Sequence, residues 1–176
     1  MARPMIKMLK EHYKDKKLVG VEVGVKQGKN SVSMIKHLDI DKLYMIDCFK
    51  YYDGYNPKGY DHDSNLLFVQ RHFRKYIKTG KVVLLPYMSD DAIKFIDGNV
   101  DFVYIDANHK YSFVKSDINN YFSIVKDGGF IGGHDFCAKN YNDVVKAVIE
   151  FANEKGLKVF GVSNDWWIHK LNCIRK

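Results

Sequence analysis

The sequence predicts an α/β fold, in which a mainly parallel β-sheet is covered by helices on both faces. Short β-branched runs alternate five times with apolar residues at helical spacing, and two more apolar runs joined by a turn close the chain. A glycine-containing loop follows the first run, which is where α/β sheets commonly bind ligands. Because this alternation fills all 176 residues, one domain spanning residues 1–176 is expected.

The first half of the chain contains three predicted strands. We expect a helix over residues 4–15, strands over 18–23, 43–46 and 81–85, and helices from residue 30 or 31 and over 66–78. In the helix over 66–78, Phe68, Val69, His72 and Phe73 belong to the predicted buried stripe. Residues 48–65 show no periodicity and are rich in tyrosine, so they predict a loop that forms a wall or lid over the ligand end of the sheet; the alternative is a surface loop packed on itself.

The second half continues the alternation and then changes it. We expect helices over residues 89–96 and 142–155, and between them a helix that begins at residue 112 and still includes Val125 on its inward face. Strands are expected over residues 100–105, 130–133, 157–162 and 166–171. A glycine turn at residues 127–129 precedes the fifth strand. The short turn at 163–165 predicts a hairpin, and hence an antiparallel edge.

Composition and charge limit the possible partners. The chain has no apolar run of the roughly 18 residues needed to span a bilayer and no signal-peptide pattern, so a cytoplasmic protein without a membrane span is expected. Three cysteines without a Cys-x-x-Cys pair favour a reducing compartment over a disulfide framework. The net charge of +7 comes mostly from dispersed lysines, which favour a solvated basic face; nucleic acid, an anionic glycan or a membrane surface are the alternatives.

The loop after the first strand favours a ligand that carries an ammonium group. Its sequence is Glu-Val-Gly-Val-Lys-Gln-Gly over residues 22–28. A dinucleotide fingerprint would need glycine where Lys26 stands, and a phosphate-binding P-loop would need four residues between Gly24 and Gly28 rather than three. Glu22, at the end of the strand, would repel a pyrophosphate and attract an ammonium group.

A second acidic residue ends the second strand. Asp47 follows Glu22 by 25 residues, close to the separation at which a carboxylate on the second strand reaches the two hydroxyls of a ribose. A carboxylate can accept a hydrogen bond from each hydroxyl, whereas the alternative is that Asp47 only caps the following turn.

Glu-x-Gly-x-x-x-Gly after a hydrophobic strand resembles the first motif of the class I S-adenosylmethionine-dependent methyltransferases. The element order also resembles their Rossmann-like sheet of seven strands, ordered 3-2-1-4-5-7-6 with strand 7 antiparallel, over nearly the whole chain. The resemblance implies S-adenosyl-L-methionine as cofactor. The residues that it implies for the cofactor site are Glu22, Gly24, Gly28, Asp47 and Asp106, with Ser89 and Asp90 at the adenine edge.

Four further polar residues follow the fourth and fifth strands. Asp106 and His109 come after the fourth strand, and His134 and Asp135 come after the fifth. The carboxyl ends of neighbouring parallel strands meet at one edge, so these side chains should converge. Two carboxylates and two imidazoles could hold Mg²⁺ or a similar cation; the alternative is that the carboxylates only cap helices.

This second pattern, Asp-x-x-His followed by an acidic ending after strand five, resembles the macrocin O-methyltransferase-like group. The resemblance implies that Asp106 is a catalytic metal ligand, His109 the general base and Asp135 a second ligand. His134 stands where that group tends to carry another aspartate. The cation would therefore bind more weakly with His134 as a ligand, or be absent with His109 acting alone.

The sequence thus predicts an S-adenosylmethionine-dependent O-methyltransferase for a hydroxyl of a sugar, glycan or other small molecule, with divalent-metal help. It contains no Asn/Asp-Pro-Pro-Tyr motif of the kind found in amino-methylating DNA enzymes. A nucleic-acid methyltransferase, a non-enzymatic binding module of the same fold and a dehydrogenase are the alternatives. A homodimer that completes the acceptor site is an open alternative to a monomer.

Overall fold

The computed structural model describes residues 2–52, 61–137, 139–140 and 142–171. Its strands are β1 (Leu18–Val23), β2 (Ile40–Ile46), β3 (Val82–Leu85), β4 (Val100–Ile105), β5 (Val125–Gly133), β6 (Val159–Val162) and β7 (Asp165–His169). They form one sheet of order β3-β2-β1-β4-β5-β7-β6. The pairs among β1 to β5 are parallel, and β7 is antiparallel to both β5 and β6. The predicted sheet order and antiparallel strand are confirmed.

The helices connect these strands and cover both faces of the sheet. They are α1 (Pro4–Tyr13), α2 (Lys29–His37), α3 (His62–His72), α4 (Arg74–Lys78), α5 (Ser89–Ala92, continued by a 3₁₀ turn at Ile93–Phe95), α6 (Tyr111–Ile124) and α7 (Asn142–Lys155). Pro4 opens α1, where its missing N–H costs no helical hydrogen bond. Within the described ranges no helix combines the length and apolar character needed to cross a membrane.

Two apolar layers hold the sheet between the helices. On one face Val21 and Val103 pack with α6 and α7 through residues such as Ile118 and Val148. On the other face the buried side chains of α1, α2 and α3 pack against β2 and β4. β1 and β4 are buried on both faces, and for this reason their sequences are nearly continuous apolar runs.

The helix predicted over residues 66–78 is wrong in its start and in part of its buried face, whereas Val69 and Phe73 are buried as expected. α3 begins at His62, because the carboxylate of Asp61 accepts the backbone N–H of Ser64 at 2.9 Å and caps the helix. Its buried stripe contains His62 and Val69, whereas Phe68 is 49% exposed and His72 stacks on it outside the core. Phe73, with φ −95° and ψ 5°, separates α3 from α4.

The fifth strand is longer than predicted. Val125 starts β5 instead of ending the preceding helix, and the glycine turn at residues 127–129 is an irregularity inside the strand. The N–H of Gly128 donates to the carbonyl of Lys170 at 2.6 Å, and the N–H of Lys170 donates to Gly129 at 2.9 Å. These bonds to the segment after β7 keep the glycines in the sheet.

Candidate active site

A cavity of about 560 Å³ opens at the carboxyl ends of β1, β2, β3 and β4. Its size lies within the range of roughly 300–1,000 Å³ that is usual for small-molecule sites. The predicted site residues in its wall are Glu22, Gly24, Asp47, Ser89, Asp106 and His109. The structure therefore brings together, in one cavity, residues that the sequence spreads over nearly ninety positions.

The loop between β1 and α2 requires glycine at both predicted positions. Gly24 has φ +92°, and a Cβ there would lie 2.1 Å from the carbonyl oxygen of Asp106. Gly28 has φ +74° at the start of α2, and a Cβ there would lie 2.5 Å from the ring of Phe73. The first glycine lets the loop pack against the end of β4, and the second lets α2 begin over α3 and α4.

Glu22 lies beneath this loop and is only 1% exposed. Its carboxylate accepts hydrogen bonds from Asn30 Nδ2 at 3.0 Å and from the hydroxyl of Ser31, both in the first turn of α2. Burial raises the pKa of Glu22 to about 7, although the hydrogen bonds from Ser31 and Asn30 oppose the rise. A positively charged group in the cavity would therefore stabilise the ionised form.

Asp47 ends β2 with its carboxylate fixed by the backbone of two loops. Oδ2 accepts the N–H of Lys26 at 2.8 Å, and Oδ1 accepts the N–H of Phe49 at 2.9 Å. Each carboxylate oxygen can accept more than one hydrogen bond, so this orientation is compatible with a ribose diol. The structure also links Asp47 directly to the glycine loop, because Lys26 lies between Gly24 and Gly28.

The two residues predicted at the adenine edge face different ways. Ser89 lines the cavity, and its carbonyl accepts the hydroxyl of Tyr121 at 2.8 Å. Asp90 is instead held on the surface of α6, where its Oδ1 accepts from Ser116 at 2.9 Å and from Asn120 at 2.8 Å. Neither residue caps α5, whose N-cap is Met88.

The ends of β4 and β5 carry a coupled group of two histidines and one aspartate. Asp135 Oδ2 lies 2.8 Å from His109 Nε2, and its Oδ1 lies 3.0 Å from His134 Nδ1. Burial opposes ionisation, but the two histidines hold the pKa of Asp135 well below its usual range. The hydrogen bond to Asp135 raises the pKa of His134. Asp135 is therefore an ionised anchor for both imidazoles.

Asp106 is paired with a residue near the start of the chain. Arg3 Nη1 lies 2.8 Å from Asp106 Oδ2 and 2.8 Å from the hydroxyl of Tyr104. That hydroxyl donates to Asp165 Oδ1 at 3.0 Å, and Asp165 Oδ2 accepts the N–H of Met5 at 3.0 Å. The start of α1 is thus hydrogen-bonded to the site.

The predicted metal-ligand set is brought together in space. One donor atom each from Asp106, His134 and Asp135 can lie within 4.8 Å of the others. Two carboxylate oxygens and one imidazole nitrogen fit a divalent cation. All three residues already have charged or polar partners. Arg3 contacts Asp106, and His109 contacts Asp135. His134 contacts Asp135 through Nδ1 and lies 3.9 Å from Asp165 Oδ1 through Nε2.

Sequence reasoning missed Arg3, Tyr104, Asp117 and Asp165. Asp117 had a detectable signal, because it is a carboxylic acid beside Ile118 in the apolar stripe of α6. Asp165 was assigned to the hairpin turn at residues 163–165, yet it starts β7 and is 1% exposed. Arg3 and Tyr104 gave no local signal, since their contact joins residues 101 positions apart.

Comparison with known proteins agrees with this geometry. Residues 21–136 match a family described as "Methyltransferase domain". The O-methyltransferase NovP is a similar solved structure, with 17% identity and a TM-score of 0.70, covering 96% of this chain and 80% of that one. A search of curated protein sequences finds no significant match.

Two further solved structures show the same fold. SMU.1697c from Streptococcus mutans, a putative methyltransferase in complex with SAH, has 13% identity and a TM-score of 0.67, covering 97% of this chain and 100% of that one. A putative rRNA-methylase from Clostridium thermocellum has 11% identity and a TM-score of 0.68, covering 96% and 94%.

The fold and the cavity define a class I S-adenosylmethionine-dependent methyltransferase. The chain belongs to the methyltransferase domain family, whose match covers more than half of its length, and its cofactor is S-adenosyl-L-methionine.

Proposed function

We propose that this methyltransferase transfers the methyl group to a hydroxyl oxygen of a sugar, glycan or other small molecule. The observation that carries the proposal is the contact of 2.8 Å between His109 Nε2 and Asp135 Oδ2 at the edge of the cavity. An ionised aspartate beside an imidazole favours the tautomer with hydrogen on Nε2, which leaves Nδ1 as the basic nitrogen. Such a base is needed for a hydroxyl acceptor, which must lose its proton.

The reaction balances without any other reactant. The acceptor oxygen forms a bond to the methyl carbon as the carbon–sulfur bond breaks, and the electron pair of that bond goes to sulfur, giving S-adenosylhomocysteine. His109 Nδ1 takes the hydroxyl proton, and Asp135 stabilises the imidazolium that forms. The sulfonium is already activated, so the protein mainly aligns oxygen, carbon and sulfur and excludes water.

The proposed cofactor position runs along the carboxyl edge of the sheet. Glu22 receives the ammonium group, Gly24 and Gly28 give the loop the shape that holds the methionine part, and Asp47 accepts the ribose hydroxyls. The remaining proposed contacts are Asp106 near the sulfonium and Ser89 and Asp90 around the adenine. The geometry supports Ser89 more directly than Asp90, because only Ser89 is part of the cavity wall.

The cavity supports a small acceptor. Tyr52 and His62 line it, and Tyr52 accepts a hydrogen bond from Asn108, the neighbour of His109, at 3.2 Å. These side chains offer polar contacts and flat apolar surface, which suit a sugar ring or an aromatic alcohol. The predicted tyrosine-rich wall continues into residues 53–60, which lie outside the described residues.

A divalent cation such as Mg²⁺ is part of the proposal. Asp106, Asp135 and His134 would hold it, and its chemistry would be to lower the pKa of the acceptor hydroxyl. Arg3 carries positive charge to the same carboxylate of Asp106. A metal ion held by Asp106 would therefore compete with Arg3 for this carboxylate.

The proposal is tested by measuring S-adenosylhomocysteine release with glycosides, nucleotide sugars and catechols as acceptors. We expect turnover with at least one hydroxyl compound and a loss of roughly 100-fold or more in His109→Gln. His109→Gln should bind S-adenosylhomocysteine as tightly as wild type, because the change affects only the proton acceptor. Methyl transfer confined to amines, or full activity in His109→Gln, would contradict the proposal.

A nucleic-acid acceptor is the second candidate, and the net charge of +7 favours it. Binding to phosphates would weaken steeply as salt rises. Salt-sensitive binding of RNA or DNA, together with methyl incorporation into it, would replace the small-molecule acceptor.

A further inference from the structure

Arg3 places a positive charge in the cavity wall that the proposed methyl transfer does not use. Its side chain is 32% exposed and lines the cavity beside Asp106, the residue that follows β4. Arg3 is also the N-cap residue of α1, so the position of the guanidinium depends on how this helix is anchored. A guanidinium does not lose its proton in proteins, and its charge is therefore a permanent feature of this part of the cavity.

One part of the guanidinium is occupied and the other is open. Nη1 donates at 2.8 Å to the hydroxyl of Tyr104 and at 2.8 Å to Asp106 Oδ2, which uses both of its hydrogens. Within the part of the chain that the structure describes, Nε and Nη2 of Arg3 have no hydrogen-bond partner, and both remain accessible to solvent. Nε and Nη2 form the edge through which an arginine binds a carboxylate or a phosphate with two parallel hydrogen bonds.

The open edge of Arg3 is held in a fixed position. The centroid of the Tyr104 ring lies 5.5 Å from the guanidinium carbon, and the hydroxyl of Tyr104 donates to Asp165 at 3.0 Å. Asp165 is 1% exposed and also accepts the N–H of Met5, in the first turn of α1. Because these contacts already order the guanidinium, a ligand would bind it with little further loss of side-chain entropy.

The acids beside Arg3 are engaged with other groups. Asp106 is paired with Arg3 itself, and Asp135 is held between His109 and His134. An anionic group at the open edge would therefore place the guanidinium between two anions, one from the protein and one from the ligand. The sulfonium of the cofactor, which we place near Asp106, would offset part of the repulsion between these two anions.

We propose that the Nε–Nη2 edge of Arg3 binds a carboxylate or phosphate of the acceptor. The enzyme then prefers acidic hydroxyl compounds, such as uronic acids, phenolic acids and sugar phosphates, over neutral ones. The inference deepens the proposed function and rests on it, because the acceptor must lie beside Asp106 for its anionic group to reach Arg3. Arg3 determines which acceptor binds and takes no part in proton transfer.

The test compares acceptors with and without an anionic group. The pairs are glucuronic acid with glucuronamide, 3,4-dihydroxybenzoic acid with its amide, and glucose 6-phosphate with glucose, so that two pairs test a carboxylate and one tests a phosphate. Each compound is titrated calorimetrically into protein saturated with S-adenosylhomocysteine, with a chelator present so that no metal ion contributes. We expect at least one acid to bind wild type about tenfold or more tightly than its neutral partner, and Arg3→Gln to remove this preference.

Two further variants separate anion binding from the anchoring of α1. Lys7→Gln removes an exposed positive charge from the same helix and should keep the wild-type preference. Tyr104→Phe removes one contact of Arg3 but leaves its charge and its open edge. This variant should weaken the binding of acid and neutral compounds alike and should keep most of the preference between them.

The outcomes separate this inference from the proposed function. Equal affinity for acid and neutral partners in wild type, or a preference that persists in Arg3→Gln, would show that Arg3 does not select the acceptor. An equal loss of preference in Lys7→Gln would show that the overall charge is responsible and would also overturn the inference. The proposed function is tested independently by release of S-adenosylhomocysteine, and it fails if no hydroxyl compound is methylated.

Discussion

At the scale of single residues, the cavity is built from acids whose charge depends on their burial. Glu22 and Asp117 both have a pKa raised to about 7 by desolvation, whereas two histidines keep Asp135 ionised. Burial of these carboxyls costs stability, and a cationic or hydrogen-bonding ligand in the cavity would offset part of that cost. Such groups connect ligand binding to pH.

Glu22→Gln should change how stability depends on pH. The pKa of Glu22 is raised in the folded state, so its stabilising contribution is present below about pH 4.5 and is lost as pH rises through about 7. Glutamine does not ionise, so the variant should become more stable relative to wild type as pH rises from 5 to 8. The expected change in their difference is on the order of 2–3 kcal/mol of unfolding free energy, or roughly 5–10 °C in melting temperature. A difference that does not vary with pH would show that Glu22 ionises normally.

Arg3→Gln should strengthen binding of a divalent cation at Asp106. Arg3 Nη1 lies 2.8 Å from the same carboxylate, so its charge opposes that of a metal ion. We expect Mn²⁺ to bind about tenfold or more tightly in the variant, measured by electron paramagnetic resonance of the free ion. Lys7→Gln removes one positive charge from an exposed position on the same helix and should have no such effect. Unchanged or weaker Mn²⁺ binding in Arg3→Gln would contradict competition between Arg3 and the metal.

The residues that could be predicted are those fixed by a local motif. Glu22, Gly24 and Asp47 follow directly from strand ends and glycine spacing, and the structure places all three in the cavity wall. Arg3 could not be found in this way, because its role depends on α1 folding back over β4. Asp117 was detectable only as an acid in the apolar stripe of α6, and its interaction with Ser89 could not be predicted from the sequence.

At the scale of elements, the packing of the glycine loop against the end of β4 fixes the cavity. A Cβ on Gly24 would lie 2.1 Å from the carbonyl oxygen of Asp106, and backbone cannot move away without separating β1 from β4. The two strands therefore define the cavity only with glycine at this position.

Gly24→Ala should cost about 3 kcal/mol or more of unfolding free energy, measured by urea denaturation. Gly98→Ala is the control, because Gly98 also has positive φ, at +73°, but a Cβ there meets nothing within 4 Å. That change should cost about 1 kcal/mol, from the backbone strain alone. Equal losses in the two variants would show that the contact with Asp106 does not constrain the loop.

Strand and helix identities were predictable from periodicity, but several boundaries were not. α3 starts four residues early because Asp61 caps it, and the cap lies in a stretch without periodicity. β5 includes a glycine pair that resembles a turn, because the segment after β7 supplies the hydrogen bonds. Both errors come from contacts that only the folded chain provides.

At the scale of the whole molecule, the sheet order explains why the site forms. With β1 between β2 and β4, the glycine loop is placed between the proposed ribose acid, Asp47, and the reacting group around Asp106 and His109. The order was predicted from resemblance and is confirmed. The homodimer, the cytoplasmic location and the single domain over residues 1–176 stay predictions.

The most direct test of the account is calorimetric titration of S-adenosylhomocysteine into wild type, Asp47→Ala and Asp41→Ala. Asp41 is an exposed residue at the opposite end of β2, so its variant is the matched control. We predict micromolar or tighter binding to wild type and to Asp41→Ala, and about 30- to 100-fold weaker binding to Asp47→Ala, because two charge-assisted hydrogen bonds to the ribose are lost. Equal affinity in all three proteins would contradict the proposed position of the cofactor.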